Sequence, residues 1–477
     1  MLNYEEFISK DKSMLIAPAG YGKTHTISEC LKYTQVLGKQ LVLTHTHAGI
    51  ASLKEKIKKE GIPFSSYQVE TITSFAQRYV LSFYNGLYIP KQEDNNEYYS
   101  FIIAKACNIF KLSPVKKIIT NTYKGLFVDE YQDCTLKQHE LILLLSDILP
   151  THIFGDFLQG IFGFRGEQLV DMENSTEMGE FAKSKYSLDL PQRWLNGNNC
   201  LLGNDLKHIR EILINKEEVD LTIFSSIETY NFNESDLYDP RTDYYKEIKK
   251  LLKEESILII HPDSTSINPR IKIIQNFNNG FSLVESIDSK AFYAISKEAD
   301  LITMENISFK VITLCLMLFN KTGVAIWFND KGFKRKTKED DKIVLQPIEI
   351  KIKTLGNKLS YSLVSEVLKD IKKLTGIKCY RRELFNSFCK ALEEAEFQNI
   401  SVLESMTNKR NSIRRVGRKI TGRCIGTTLL TKGLEFDTVA ILNAHKFDCP
   451  KHLYVAMTRA SKRLLIFTNN TSLKPYK

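Results

Sequence analysis

Leu15-Ile16-Ala17-Pro18-Ala19-Gly20-Tyr21-Gly22-Lys23-Thr24 is the stretch on which the fold turns. An apolar run enters it and a helical pattern leaves it, so it reads as strand, tight turn and helix. Its end fits the phosphate-loop pattern G-x-x-x-x-G-K-[ST], except that Ala17 stands where that pattern has its first glycine. In such a turn, backbone N–H groups close around phosphate oxygens at the positive end of a helix. Ala19, Gly20, Tyr21 and Gly22 would form the cradle. Lys23 would reach the outer phosphates, and Thr24 would offer its hydroxyl to Mg²⁺. An ordinary turn after a buried strand also fits the stretch, and only the rest of the chain separates the two readings.

Working outward, Ser13 to Pro18 reads as a strand and Thr24 to Leu37 as a helix. Gln40 to Thr44 reads as a second strand with a helical pattern behind it through Lys59. Tyr123 to Glu130 and His152 to Asp156 are further apolar runs ending in acids. Strands alternating with helices of this length indicate a parallel sheet covered on both faces. Residues 76–122 interrupt the alternation, with helical periodicity around Tyr98 to Phe110. A second alternating region starts near Leu188, continues through Ser256 to His261 and resumes at Arg423 to Phe467. Residues 300–415 break it, with helical patterns around 362–373 and 383–395. The spacing predicts an α/β chain of two lobes, each with a mainly helical insertion. The first lobe is expected over 1–75 and 123–187 with 76–122 inserted. The second is expected over 188–300 and 416–477, with a reduced insertion at 301–415.

The chain has 477 residues, enough for roughly two to four domains. A net charge of +10 suits a polyanionic partner. The nine cysteines contain no C-x-x-C pair, which speaks against zinc and for reduced thiols in a cytoplasmic protein. The apolar run Val311 to Phe319 falls short of the roughly 20 residues a membrane span needs. The first residues, MLNYEEFISKDK, show no signal-peptide pattern. A cytoplasmic protein without a membrane partner is expected.

Leu126-Phe-Val-Asp-Glu-Tyr-Gln-Asp133 puts two carboxylates at the C-terminal end of an apolar strand, where ligands bind in such sheets. Asp129 suits Mg²⁺, directly or through water. Glu130 suits the polarisation of a water that attacks a γ-phosphate. A bare Asp-Glu pair usually marks a solvated strand end. Placed after a phosphate loop in another strand of one sheet, it reads as catalytic.

Together these segments resemble a family. LIAPAGYGKT, VLTHTHAGIASLKEKI (42–57), VDEYQD (128–133) and IFGDFLQGIFGFRG (153–166) occur in the order and spacing of superfamily 1 helicases of the UvrD, Rep and PcrA type. GTTLLTKGLEFDTVAIL (426–442) and LYVAMTRASKRL (453–464) continue the resemblance. The family commonly has alanine at the place of Ala17. The resemblance implies two RecA-like lobes, a P-loop NTPase fold, and ATP with Mg²⁺ held between the lobes by Thr24 and Asp129. It implies that Gln159 senses the γ-phosphate, that Arg193 and Arg459 reach the phosphates from the second lobe, and that Glu435 holds the ribose. Gly433 would allow close backbone approach, and Lys432 belongs to the same segment. An arginine placed on a transferring phosphoryl group is worth roughly 10³–10⁵ in rate.

For nucleic acid, the resemblance implies contacts from Thr44, His45, Thr46, Thr71, Ser74, Phe162, Phe164 and Arg165, the phenylalanines as a base platform. Aromatic faces contribute about 1–3 kcal/mol per stacked base. Residues 408–423 carry seven basic residues and no acid, either a solvated face or a phosphate-tracking surface. The implied activity is ATP-dependent translocation on single-stranded DNA or partial duplex, 3′ to 5′. Compact UvrD-like proteins of similar length also occur as the helicase subunit of antiphage systems such as Gabija, beside a nuclease, so a nuclease or other effector partner is a second expectation. The final motif segment ends near Lys477, which suggests no appended nuclease domain.

Several positions depart from the family pattern. Residues 1–22 contain no glutamine to read adenine, and Gln192 replaces the usual aromatic before Arg193. Trp194 is a candidate replacement for that stack. Leu429 stands where a histidine links ATP to DNA, and His45 where an aromatic stacks on a base. The first pair predicts loose nucleotide-base selectivity and the second less efficient coupling of ATP to DNA, while insertions shorter than those of the large repair helicases predict strand separation that is weak in the lone chain or needs a partner.

Overall fold

The computed structural model describes residues 2–45, 47–92, 95–161, 163, 168–286, 290–329, 332–416 and 420–476. Residues 1–269 and 414–477 form one compact unit, and residues 270–413 form another.

The first unit holds two parallel sheets. In the first, β1 (Lys12–Ile16), β2 (Gln40–Thr44), β3 (Tyr67–Thr71), β4 (Gly125–Val128), β5 (Thr151–Gly155) and β6 (Lys185–Ser187) lie in the order β3-β2-β4-β5-β1-β6. Alternate residues of each strand enter different cores, as a pleat requires. Met14, Leu41, Leu43, Leu126, Val128 and Ile153 join one cluster. Leu15, Val42, Phe127 and Phe154 join the other. Both faces are therefore covered, which is why these strands read as continuous apolar runs and not as alternating ones. Within this unit the second sheet runs in parallel through β7 (Ile227–Asn231), β8 (Ile257–Ile260), β9 (Arg423–Gly426), β10 (Phe436–Ile441) and β11 (Ala460–Thr468). The order there is β9-β8-β10-β11-β7. The doubly wound α/β architecture expected from the alternation is present.

The helices that matter below are α1 (Lys23–Thr34), α2 (His47–Lys59), α3 (Ile72–Phe83), α4 (Asn95–Ile109), α5 (Ser113–Thr122), α6 (Leu136–Ser146), α7 (Gln192–Asn196), α8 (Cys200–Ile214) and α9 (Pro450–Met457). Helix α3 starts at Thr71, whose side chain accepts from the Ser74 N–H, and α6 starts at a capping box of Thr135 and Gln138. Most described residues of 76–122 are helical: α3, α4 and α5 pack Phe75, Tyr79, Ile102, Ile109 and Ile119 into the same core as β2 and β4. Fully burying an apolar side chain of this kind contributes about 1.5–3 kcal/mol.

The second unit is mainly helical, with helices at Lys290–Asp300, Ile307–Leu318, Lys321–Trp327, Glu339–Asn357, Tyr361–Ile371 and Arg382–Gln398. The patterns expected around 362–373 and 383–395 correspond to the last two. Trp327, Phe385, Phe388, Leu314 and Val367 lie in its core. The nine cysteines form no disulfide. Among the described residues no helix is long and apolar enough to cross a membrane.

Candidate active site

The turn after β1 brings the chain to α1 through two left-handed glycines, Gly20 (φ +78°) and Gly22 (φ +94°). Gly22 precedes the first residue of α1 and no side chain caps that helix, so its first N–H groups stay open toward the turn. A Cβ on Gly20 would lie 2.6 Å from Cζ3 of Trp194, so the glycine is needed for close packing as well as for its backbone angle. This turn lines a cavity of about 780 Å³. From the first sheet's side come Ala19, Gly20, Gly22, Lys23, Thr24, Glu130 and Gln159; from the second sheet's side come Gly433, Glu435 and Arg459, with Gln192 and Arg193 on α7 between them. Of the expected nucleotide-contacting residues, Tyr21 and Asp129 do not line this space. Tyr21 is buried, and so is Asp129.

Lys23 is buried beside two carboxylates, with Nζ 3.0 Å from Glu130 Oε1 and 3.9 Å from Asp129 Oδ1. Burial opposes its charge, but Glu130 and Asp129 outweigh it and push the Lys23 pKa up. The two acids are driven apart. Burial holds the Asp129 carboxyl above its usual range. Burial also acts on Glu130, yet Lys23 and Lys432 overcome it and hold that carboxyl well below its usual range. Glu130 is ionised at neutral pH. Its backbone is left-handed, φ 59° and ψ 39°, a conformation rare outside glycine and concentrated at functional sites.

A chain of hydrogen bonds fixes this group. Gln132 Nε2 donates to Glu130 Oε2 at 2.6 Å, and Gln132 Oε1 accepts the Asp156 N–H at 2.9 Å. Gln159 Nε2 donates to Asp156 Oδ2 at 3.1 Å. Lys432 enters from the other side: its ammonium meets Asp133 Oδ2 and the Gln159 carbonyl, and lies 3.6 Å from Glu130 Oε2.

The two arginines are arranged differently. Arg193 Nε pairs with Glu435 Oε2 at 3.0 Å, and its guanidinium also donates to the Thr458 carbonyl. Arg459 is buried and donates to the carbonyls of Val455 and Leu434 and to the Thr458 hydroxyl, at 2.9, 3.2 and 3.3 Å. Burial and the neighbouring Arg193 bias Arg459 against its own charge and lower its pKa to about 10. Two guanidinium groups facing one polar cavity, with Lys23 on its wall, suit it to an anion although Glu130 and Glu435 line it as well. Lys56 on α2 also lines the cavity; burial lowers its pKa although Glu435 pulls the other way. Sequence reading passed over Lys56, and its position two turns into the helix behind 42–48 was the available signal.

Trp194 does not supply a base stack. It is 1% exposed, its Nε1–H donates to the Ala460 carbonyl at 3.0 Å, and its ring fills the space over Gly20. A large aromatic next to Arg193 satisfied the sequence pattern, but packing between the turn and β11 takes its whole face.

Thr44 and Thr71 are register partners at the C-terminal ends of β2 and β3. The Thr71 hydroxyl is occupied as a helix cap, accepting from Ser74 N–H and donating to Ser74 Oγ. His45 Nε2 lies 3.3 Å from Cys134 Sγ, and burial with nearby Lys432 lowers its pKa to about 3, so it is neutral. Thr46, Phe162, Phe164 and Arg165 lie outside the described residues. Near the cavity rim His25, Glu29 and Glu60 group at metal-ligand spacing, but Lys32 already donates to both carboxylates at 2.6 and 2.7 Å.

Parts of the chain are similar to known helicases. Residues 80–178 match the model of the UvrD/REP helicase N-terminal domain, and residues 356–468 match that of the viral superfamily 1 RNA helicase core domain. The chain is 30% identical over 165 residues to an ATP-dependent helicase/nuclease subunit of Lactococcus lactis, a stretch covering 34% of this chain and 13% of that protein. It is 24% identical over 422 residues to the Gabija protein GajB of Bacillus cereus, covering 83% of this chain and 75% of that one. It is 26% identical over 185 residues to the ATP-dependent DNA helicase PcrA of Staphylococcus epidermidis, covering 37% and 23%. The chain thus spans only a small part of the Lactococcus helicase/nuclease protein that it matches.

Proposed function

Starting from a chain homologous to UvrD-like helicases, we propose an ATP-driven translocase or helicase acting on single-stranded DNA, 3′ to 5′, with ATP hydrolysed between two RecA-like lobes. The lobes in this reading are 1–75 with 123–187 and 188–300 with 416–477, carrying insertions 76–122 and 301–415. One observation carries the proposal: Lys23, Glu130 and Gln159 share a single cavity with Arg459 and Glu435, which come from the other sheet.

The first sheet holds the reacting end. The open N–H groups before α1 and the Lys23 ammonium take the outer phosphates. Glu130, ionised and held by Gln132, accepts a proton from the attacking water. Gln159, fixed on Asp156, faces the same space and orients that water or the γ-phosphate. Arg459 stabilises charge on the phosphoryl group as the bond to the leaving phosphate breaks. Arg193 must leave Glu435 to do the same, which frees Glu435 for the ribose. Because Lys23 and Arg459 approach from different sheets, hydrolysis favours a closed cleft and product release an open one. That alternation is the source of movement.

Thr24, which lines the cavity at the start of α1, would hold through its hydroxyl the metal that this chemistry uses, with the buried Asp129 reaching it through water. Mg²⁺ bound there would neutralise charge on the outer phosphates. Single-stranded DNA would cross the C-terminal ends of β2 and β3, near Thr44, His45, Thr71 and Ser74.

The alignment with the Gabija protein GajB over most of both chains favours a second reading, a nucleic-acid-stimulated ATPase that regulates a bound nuclease or other effector. One experiment separates them. The purified chain, given ATP and a single strand blocked at one end by biotin–streptavidin, is assayed for ATP turnover and for release of the block. Turnover with release means a motor. Turnover without release, with altered activity of a co-purified enzyme, means a sensor, and no stimulated turnover rejects both.

A further inference from the structure

Arg210 belongs to no motif, yet it sits where the elements carrying Lys23, Gln159 and Arg459 meet. It lies in α8, and its NH2 donates to Asp156 Oδ1 at 2.8 Å. The Asp156 side chain is 0% exposed and that of Arg210 is 19% exposed. Asp156 also accepts from Gln159 Nε2, while its own N–H is held by Gln132, which holds Glu130. The guanidinium acts electrostatically on the phenol of Tyr21, in the turn before Lys23. It acts likewise on the phenol of Tyr454, which meets the Ala19 backbone from α9, the helix leading to Arg459. Arg210 Nε is buried without a hydrogen-bond partner among the described residues. Its bond to Asp156 therefore comes from the guanidinium tip and not from Nε.

We propose that Arg210 is a positioning residue for hydrolysis: the cation that holds the buried Asp156 carboxylate in place, so that Gln159 and, through Gln132, Glu130 face the reacting phosphate. This rests on the ATPase reading above. A carboxylate as deeply buried as Asp156 is strongly destabilising once its salt-bridge partner is removed. Without Arg210 the turn bearing Gln159 would shift to relieve that charge. Displacements near 1 Å at a positioning group cost about a hundredfold in rate. Lys23 meets this chain of bonds only at its far end, through Glu130, and the open N–H groups of the turn form none of its bonds. The loss should fall on turnover and leave binding intact.

The test measures DNA-stimulated ATP hydrolysis by the full chain carrying Arg210→Met, Arg210→Lys, Asp156→Asn and the double variant Asp156→Asn/Arg210→Met. Arg210→Met should lower kcat about tenfold or more with KM for ATP changed less than about twofold, the pattern of an interaction needed in the transition state. Arg210→Lys should recover most of kcat. Asp156→Asn should reproduce the loss, and the double variant should be no slower than the slower single one, because the two residues act as a unit. Wild-type kcat in Arg210→Met, parallel changes in kcat and KM, no rescue by lysine, or losses that multiply in the double variant would each overturn the proposal. Should Arg210→Met fail to fold, Arg210→Lys and Asp156→Asn decide: wild-type kcat in Asp156→Asn overturns it. A wild type that hydrolyses no ATP overturns the ATPase reading together with this one. An active wild type with an indifferent Arg210→Met overturns this one alone.

Discussion

Gly20→Ala tests how the phosphate-binding turn is built. At φ +78° an L-residue is strained by about 1–2 kcal/mol. The new methyl would also lie 2.6 Å from Cζ3 and 2.8 Å from Cη2 of Trp194, and 3.2 Å from Cβ of Arg193. Trp194 cannot swing away, because it is 1% exposed and bonded through Nε1 to the Ala460 carbonyl. Overpacking of this kind costs about 1–3 kcal/mol more, for a total of about 2–5 kcal/mol. Gly22→Ala supplies the control. Its φ of +94° carries the same backbone strain, but its nearest neighbour, Gln192 Cγ, is at an ordinary 3.4 Å. The difference between the two variants therefore isolates the clash with Trp194. The assay is urea unfolding followed by the emission of Trp194 in a Trp327→Phe background, since the chain has two tryptophans. Gly20→Ala should be less stable than Gly22→Ala by about 1–3 kcal/mol. Equal stabilities would refute the packing of Trp194 on the turn.

Burial lowers the His152 pKa to about 4 from its ordinary 6.5, so its contribution to stability is complete above pH 6.5 and is lost as pH falls toward 4. The slope is about 1.4 kcal/mol per pH unit within that window, and His152→Gln should remove one proton's worth of it; an unchanged slope in unfolding titrations would contradict this. Lys432→Met leaves the buried Asp133 carboxylate without its ammonium, at about 3–5 kcal/mol, and Asp133→Asn in the same chain should restore most of the loss; additive losses in the two variants would exclude the pairing. With Gln192 at the aromatic position and Trp194 buried, steady-state turnover of GTP should be comparable to that of ATP, and a strong preference for ATP would disprove the loose selectivity.

Much of the fold could be read because both faces of each sheet are covered, so the strands stand out as uninterrupted apolar runs such as Leu126 to Val128. The encounter of Lys23 with Glu130 was legible for a related reason: each follows the C-terminal end of a strand in one parallel sheet, and those ends share an edge. What could not be read was contact between groups with no fixed spacing. Arg210 reaches Asp156 across 54 residues from a helix whose pattern is ordinary, so nothing local marks it. Arg193 is expected at the phosphates but is paired with Glu435, a carboxylate of the same cavity that lies far from it in sequence. Trp194 misled because a sequence does not say which side of an aromatic is covered. Gly20 on one side and Gly203, whose added Cβ would lie 3.0 Å from Trp194 Cβ, leave room for the ring to be buried.

The most direct test of the account is ATP hydrolysis with and without single-stranded DNA, wild type against Glu130→Gln. The carboxamide keeps the shape and can still bond to Gln132, but it accepts no proton from water. Stimulated hydrolysis in the wild type and its loss in Glu130→Gln, with ATP still bound, is the predicted result. Hydrolysis retained at the wild-type rate in Glu130→Gln would contradict the assignment of this carboxylate and the engine built around it.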